Sequence, residues 1–140
     1  MKHILAFLPL LLLASCQGTQ PEKPSISKDF SAFYERFHRD SLYQMQHITF
    51  PLEGIPDNVA QLQNAEGRFR WTREEWDMHK PIDFSQGEFR QELNLFGDRV
   101  VNERIISQDN NYALLRRFAR IGEEWYLIYY AGLNPIKQVQ

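Results

Sequence analysis

The chain predicts an α+β domain in which N-terminal helices pack on a curved antiparallel sheet. Three features of the 140-residue sequence predict it. Phe30, Phe33, Tyr34 and Phe37 recur at i, i+3, i+4 and i+7, the apolar stripe of an amphipathic helix. From Glu88 to Leu133 apolar and polar residues alternate, and the alternation breaks only at short turn signals, as in an antiparallel meander. The helical period comes first and the strand period last, which is the pattern of segregated α+β layers.

The elements follow in order. A charged start (Lys2, His3) leads into the apolar run Ile4–Leu13, which ends in Ala14-Ser15-Cys16. That run is about half of the roughly 20 residues a membrane span needs, and it fits the short apolar region of an export signal. The arrangement resembles a bacterial lipoprotein signal, in which the Cys thiol is alkylated by a diacylglycerol and the chain is cut before it. Residues 1–15 are thus expected to be a signal peptide and Cys16 the lipidated residue. Cys16 is the only Cys, so no intramolecular disulfide is open to it, and acylation would cap an otherwise free thiol. Two or three acyl chains are needed for stable anchoring. Residues 16–27, with Pro21 and Pro24 among polar residues, read as a flexible tether. Only Glu22 is acidic there, which favours an outer membrane position facing the periplasm over the cell surface.

Residues 28–135 form the folded domain. A helix is predicted over Lys28 to Arg39, with Ser27 as its cap. Ser41-Leu42-Tyr43-Gln44 has capping-box spacing and opens a second short helix. Ile48, Phe50 and Leu52 alternate as a strand facing the core, and Pro51 suggests an edge position. Glu53 to Gly67, with Gly54, Pro56 and Asp57-Asn58, reads as a loop. Arg68 to Trp71 reads as a short strand. Thr72-Arg73-Glu74-Glu75 is another capping box, and Trp71 and Trp76 have staple spacing around it; a helix over Arg73 to His79, stopped by Pro81, is expected. Four strands follow. Phe89, Gln91, Leu93 and Leu95 share one face of the first, and turns fall at Gly97-Asp98, Asp109-Asn110-Asn111 and Gly122-Glu123.

Charge excludes one class of partner. With 16 basic and 18 acidic residues, net −2, the chain lacks a nucleic-acid footprint. Aromatic residues make up 14% and supply wall material for a small sheet domain.

The order of elements, closed by the hairpin Arg117-Phe118-Ala119-Arg120-Ile121-Gly122-Glu123-Glu124-Trp125-Tyr126-Leu127-Ile128-Tyr129-Tyr130, resembles the nuclear transport factor 2-like, cystatin-like α+β roll. Asp29-Phe30-Ser31-Ala32-Phe33-Tyr34-Glu35-Arg36-Phe37, Ile48-Thr49-Phe50-Pro51-Leu52-Glu53-Gly54 and Trp71-Thr72-Arg73-Glu74-Glu75-Trp76 are similar to lipoproteins of unknown function from Bacteroidetes. The resemblance spans Lys28 to Leu133. It implies a cone-shaped domain and an envelope address, and it carries no activity to any residue.

Tyr34, Trp71, Trp76, Trp125 and Tyr129 are the candidate ligand wall, because each joins a large apolar surface to a polar tip. Trp125 and Tyr129 are expected to share one strand face, with Tyr126, Ile128 and Tyr130 on the other. Both faces are then apolar, and a second subunit is expected to cover one as a homodimer. His38, His47 and His79, with Asp40, Asp77 and Asp83, are the acid-base candidates. The i, i+2 spacings point His38 from Asp40 and Asp77 from His79 apart, and His47 is expected to face solvent. No residue is assigned as catalytic, no metal motif is present and no cofactor is implied. Arg116, Arg117 and Arg120 are expected to pair with Glu88, Glu92 or Glu103 on a solvated sheet face, the alternative being an anion site. Together these features predict a lipid-anchored, non-enzymatic domain that binds a small apolar ligand or a protein; the alternative is an acid-base enzyme in the cone pocket.

Overall fold

A computed structural model describes residues 25–58 and 69–136. The predicted signal peptide and Cys16 lie outside the described residues, as does Gly67. Helix α1 spans Lys28–Arg39 and α2 spans Ser41–Gln46. Strand β1 is Ile48–Ile55 and β2 is Arg70–Trp71. A 3-10 turn at Phe84–Gln86 precedes β3 (Phe89–Phe96), β4 (Val100–Ser107), β5 (Tyr112–Ile121) and β6 (Glu124–Pro135).

Helix α1 forms where its stripe requires. Phe30, Phe33 and Phe37 are buried, and the Ser27 side chain accepts the Phe30 N–H at 3.3 Å. Helix α2 starts one residue earlier than the capping-box reading. Asp40 is its cap and takes the Tyr43 N–H at 3.0 Å. Gln44 is thereby free for a different task, described below.

The curved sheet is mixed, with order β2-β1-β6-β5-β4-β3. Strands β3 to β6 are the antiparallel meander predicted from the turns, with Gly97, Gly122 and Asn110 at positive φ in the turns. Strand β1 departs from expectation. It runs on to Ile55, where a loop was expected, and it is not an edge: it pairs antiparallel with β2 and parallel with β6. Pro51 is tolerated because it falls where the β1–β6 register skips between Ile48 and Glu53, so no ladder N–H is required of it.

The predicted helix over Arg73 to His79 is absent. Thr72 Oγ1 does bond Glu75 Oε2 at 2.8 Å, but only a turn forms there. Pro81 leaves too few residues to repay helix nucleation, and Trp76 and His79 are drawn inward by other partners.

Phe118 lies at the centre of the core, between α1 and the sheet. Phe30, Phe33 and Phe37 meet its ring at 5.6, 5.7 and 5.7 Å, all near edge-to-face.

Candidate functional site

Adjacent strands bring three polar side chains to the inner face of the sheet. The register places Leu93 opposite Glu103 and Glu103 opposite Arg116. Glu103 is 0% exposed and Arg116 2%. Arg116 Nε meets Glu103 Oε2 at 2.6 Å. Tyr34, from α1, donates its hydroxyl to Glu103 Oε1 and accepts from Gln91 Nε2 at 3.0 Å and Arg116 Nη2 at 3.3 Å. Gln91 Nε2 also donates to Glu103 Oε1 at 2.6 Å. The solvated-face expectation therefore fails for Arg116. Its partner is one of the acids expected, but the pair is buried under the helix.

Two imidazoles complete the cluster. His38 Nδ1 lies 2.7 Å from the Tyr34 carbonyl, so that nitrogen carries the proton, and Nε2 accepts from Arg116 Nη1 at 2.7 Å. His79 Nδ1 lies 3.3 Å from the same Nη1. Burial, and then the Arg116 charge, pull His38 down to about 4 and His79 to about 2. Both rings are neutral acceptors at neutral pH. Burial raises Tyr34 far above the usual phenol range. The spacing argument about His38 and Asp40 holds, since Asp40 turns away to cap α2. The carboxylate near His38 is Glu103, reached through Arg116.

Gln44 sits beside this cluster, 1% exposed. Its Nε2 donates to the Phe37 and His79 carbonyls, both at 2.7 Å. Its Oε1 accepts from Trp76 Nε1 at 3.1 Å and from the His79 N–H at 2.9 Å. Both amide protons and both acceptor positions are used. Gln44 thus ties the irregular 72–83 segment to α2.

The five candidate wall residues part into four places. Trp71 and Trp76 meet at 6.1 Å, near perpendicular, so the staple contact forms without its helix. Both lie against Tyr130, at 5.2 and 5.5 Å. Burial pushes the Tyr130 phenol up to about 12. Trp71 Nε1 reaches across β1 to the Tyr130 carbonyl at 3.0 Å. Tyr34 belongs to the polar cluster. Trp125 stands at the other end, 4.9 Å from Phe30, with its N–H on Asp29 at 3.0 Å. Hydrogen bonds from Ser27 and Trp125 lower the Asp29 carboxyl to about 2.

Tyr129 is not on the Trp125 face. Phe118 pairs with Leu127 but Arg117 pairs with Tyr129, so Ile128 is an extra residue in β6. This bulge flips the alternation. Before it Trp125 and Leu127 face the core; after it Tyr130 does. Tyr129 lies outside, 5.7 Å under the Arg117 guanidinium. Arg117 bonds Asn102 at 2.8 Å. Arg120, with Arg116 on the inner side, reaches Asp29 at 3.6 Å and Glu123 at 3.1 Å. The three arginines do not form one cluster.

His47 also departs from expectation: it is 6% exposed. It stacks on Tyr43 at 3.8 Å and faces Tyr126 at 5.3 Å. Its Nδ1 is 2.8 Å from the Tyr43 carbonyl and its Nε2 is 3.8 Å from Glu124. Asp77 is exposed, and Asp83 caps the 3-10 turn through Ser85 at 2.9 Å. Neither makes an ion pair with a histidine among the described residues.

Among the described residues, cavities lie beyond the cluster. One of about 170 Å³ touches Trp125, Leu95 and Val101, and one of about 410 Å³ lies against Phe96, Asn102 and Arg104. Neither reaches Tyr34, Trp71, Trp76 or Tyr129. Among the described residues no three His, Cys, Asp or Glu side chains gather to hold a metal ion. No described helix is long and apolar enough to cross a membrane.

Solved structures repeat this architecture. A cystatin-like protein from Bacteroides caccae superposes with a TM-score of 0.54 at 17% identity, over 74% of this chain and 75% of that one. The fold is NTF2-like. An NTF2-like protein from Bacteroides fragilis matches with a TM-score of 0.50 at 14% identity, over 80% of this chain. The chain spans 50% of that protein's length. No family model matches the sequence, and no curated protein matches it. Arg116, Glu103, Tyr34 and His38 lie where α1 meets the sheet, and His79 packs beside them.

The sequence reading missed Glu103, Arg116 and Gln44 as a site. One signal was present. Gln91 was placed on the apolar face with Phe89, Leu93 and Leu95, and a polar residue on a core face needs buried partners.

Proposed function

We propose that this chain is a bacterial envelope lipoprotein, held to a bilayer by acylated Cys16, whose NTF2-like domain is a non-enzymatic binding module. The observation that carries the activity class is the closure of the buried network. The Arg116 charge is met by Glu103, and the lone pairs of His38 and His79 are directed at Arg116. A general base needs a free lone pair within reach of a substrate proton, and these rings offer theirs to a guanidinium. The leader and the lone Cys support the anchor. The outer sheet face, with Tyr129 and Arg117, is the surface for a protein partner or a second copy.

The acid-base alternative draws on one observation: His38 does point inward, into a cluster that holds a carboxylate. It requires the guanidinium to leave His38 before the ring can take a proton.

The deciding experiment compares the wild-type chain with Cys16→Ser in a bacterial host. The expected result is an acylated, leader-free mass in the membrane fraction, and for C16S an unacylated chain released from it. Equal membrane retention of both would overturn the anchor. Light scattering of the purified protein checks the second copy, and a monomer at high concentration removes it.

A further inference from the structure

We propose that residues 72–83 are a displaceable internal plug, and that the aromatic box it fills takes a neutral planar heteroaromatic ligand in its place. The inference rests on the binding-module reading and names the ligand class.

The plug itself shows what the box accepts. The Trp76 indole meets Phe50 at 5.8 Å, Trp71 at 6.1 Å and Tyr130 at 5.5 Å, all near perpendicular. Three rings set across the indole plane therefore surround a flat group. The Trp71 wall depends on Gly54, where a Cβ would stand 1.9 Å from the Tyr130 carbonyl and 2.7 Å from Trp71 Nε1. His79 follows Trp76 inward, 4.5 Å from its ring and 4.6 Å from Tyr130. One edge of the box offers an acceptor, Gln44 Oε1, filled by the Trp76 N–H. The far edge offers a donor, Arg116 Nη1, facing His79 Nδ1. Because Glu103 already balances Arg116, the box calls for no anion. A fitting ligand is flat, uncharged, and carries an N–H at one edge and a ring nitrogen at the other.

The plug is lightly held: most of its residues are exposed, and Trp76 is the one it buries. It contributes no strand or helix, so it has no ladder. Among the described residues its side-chain and backbone hydrogen bonds to the rest of the fold go to Gln44, Met45 and Arg116, and at its end Asp83 bonds Ser85 and Gln86 of the adjoining 3-10 turn. Met78 and Ile82, two of its other apolar residues, are only partly covered, at 37% and 36% exposure. Segments with exposed backbone and few anchors open below the global unfolding free energy. An internal occupant that opens this way yields to a competitor of the same shape.

The test uses benzimidazole, which has both the N–H and the ring nitrogen, and the full chain in detergent with 5-fluorotryptophan at its three Trp positions. On titration the Trp76 fluorine signal is expected to move to a solvent-exposed position while the Trp125 signal stays. Trp76→Ala, which removes the internal competitor, is expected to bind benzimidazole at least about tenfold tighter. Indene, with the same outline and no nitrogen, is expected to bind at least about tenfold weaker than benzimidazole. A stationary Trp76 signal at saturating probe, or no gain in W76A, overturns the proposal. A measurement on the unmutated protein guards against misfolding of the variant. The His79 amide is expected to exchange with solvent deuterium through local opening, ahead of β5 amides; exchange only by global unfolding also overturns the proposal. Chemical conversion of benzimidazole would instead refute the non-enzymatic reading, and membrane retention of C16S the anchor, each leaving the displacement result standing.

Discussion

Trp125 and Trp76 are both buried and both donate the indole N–H to a side chain, yet they are held in opposite ways. Trp125 sits in β6, laddered to β5, and its partner Asp29 lies in the first turn of α1. Trp76 sits in an irregular segment and depends on Gln44. Equal burial therefore does not mean equal anchorage. The backbone around a side chain decides whether removing it costs the whole fold or frees one segment.

The strongest way to break the contrast is at the floor beneath the plug. Glu103→Ala leaves Arg116 buried without its counterion and should cost about 3–5 kcal/mol of global stability in urea denaturation. Arg117→Ala, one residue away on the wet face, should cost under about 0.5 kcal/mol in the same assay. Next in size, Trp125→Ala should lose about 3–5 kcal/mol globally, at the lower end because a cavity already adjoins it. Gln44→Leu should cost only about 1–3 kcal/mol, because the plug can swing out and hydrate its groups rather than bury them unpaired. Calorimetry with hydrogen exchange would show accelerated exchange confined to residues 72–83; uniform acceleration across the sheet would erase the distinction between the two tryptophans.

Acid sharpens the same comparison. The folded values of His38, about 4, and His79, about 2, lie below the ordinary 6.5. The unfolded chain therefore binds more protons in this range, and stability falls as pH drops from about 6.5 toward 4. The thermal midpoint should decline over that window, and His38→Gln should flatten the decline. Asp29 acts lower. Its folded value of about 2 lies below 3.8, so its contribution is present above 3.8 and is lost as pH falls through about 2. The plug end should loosen first and the Trp125 end later, which tryptophan-resolved fluorine spectra would order. Asp29→Asn should cost about 0.3–1 kcal/mol, from the lost charge at the α1 N-terminus, well below Trp125→Ala at the same end.

Helix α1 and the meander were legible because each rests on a local period. Three phenylalanines at helical spacing leave one way to face a core, and turn residues set the hairpins. The failures came where distant residues decide. Ile128 looks like any strand residue, and only its lack of a partner across β5 reveals the bulge that separates Trp125 from Tyr129. Thr72 to Glu75 spell a helix start, but Gln44 claims Trp76 and His79 from another element. Gln44 itself was misread as part of a cap. His47 was placed in solvent because its neighbours alternate, whereas Tyr43 and Tyr126 enclose it from two other elements. The contact of Trp71 with Trp76 follows from their staple spacing, whereas Tyr130 joins them only because the β6 bulge turns it to the core.

The parallel pairing of β1 with β6 joins Ile48 to Leu127, nearly opposite ends of the domain's sequence. Such a contact delays assembly, since long loops must close before it forms. During synthesis β1 has only its short pairing with β2 until the final ribbon emerges. A nascent domain stopped short of Tyr130 would be a half-finished shell, open to proteases.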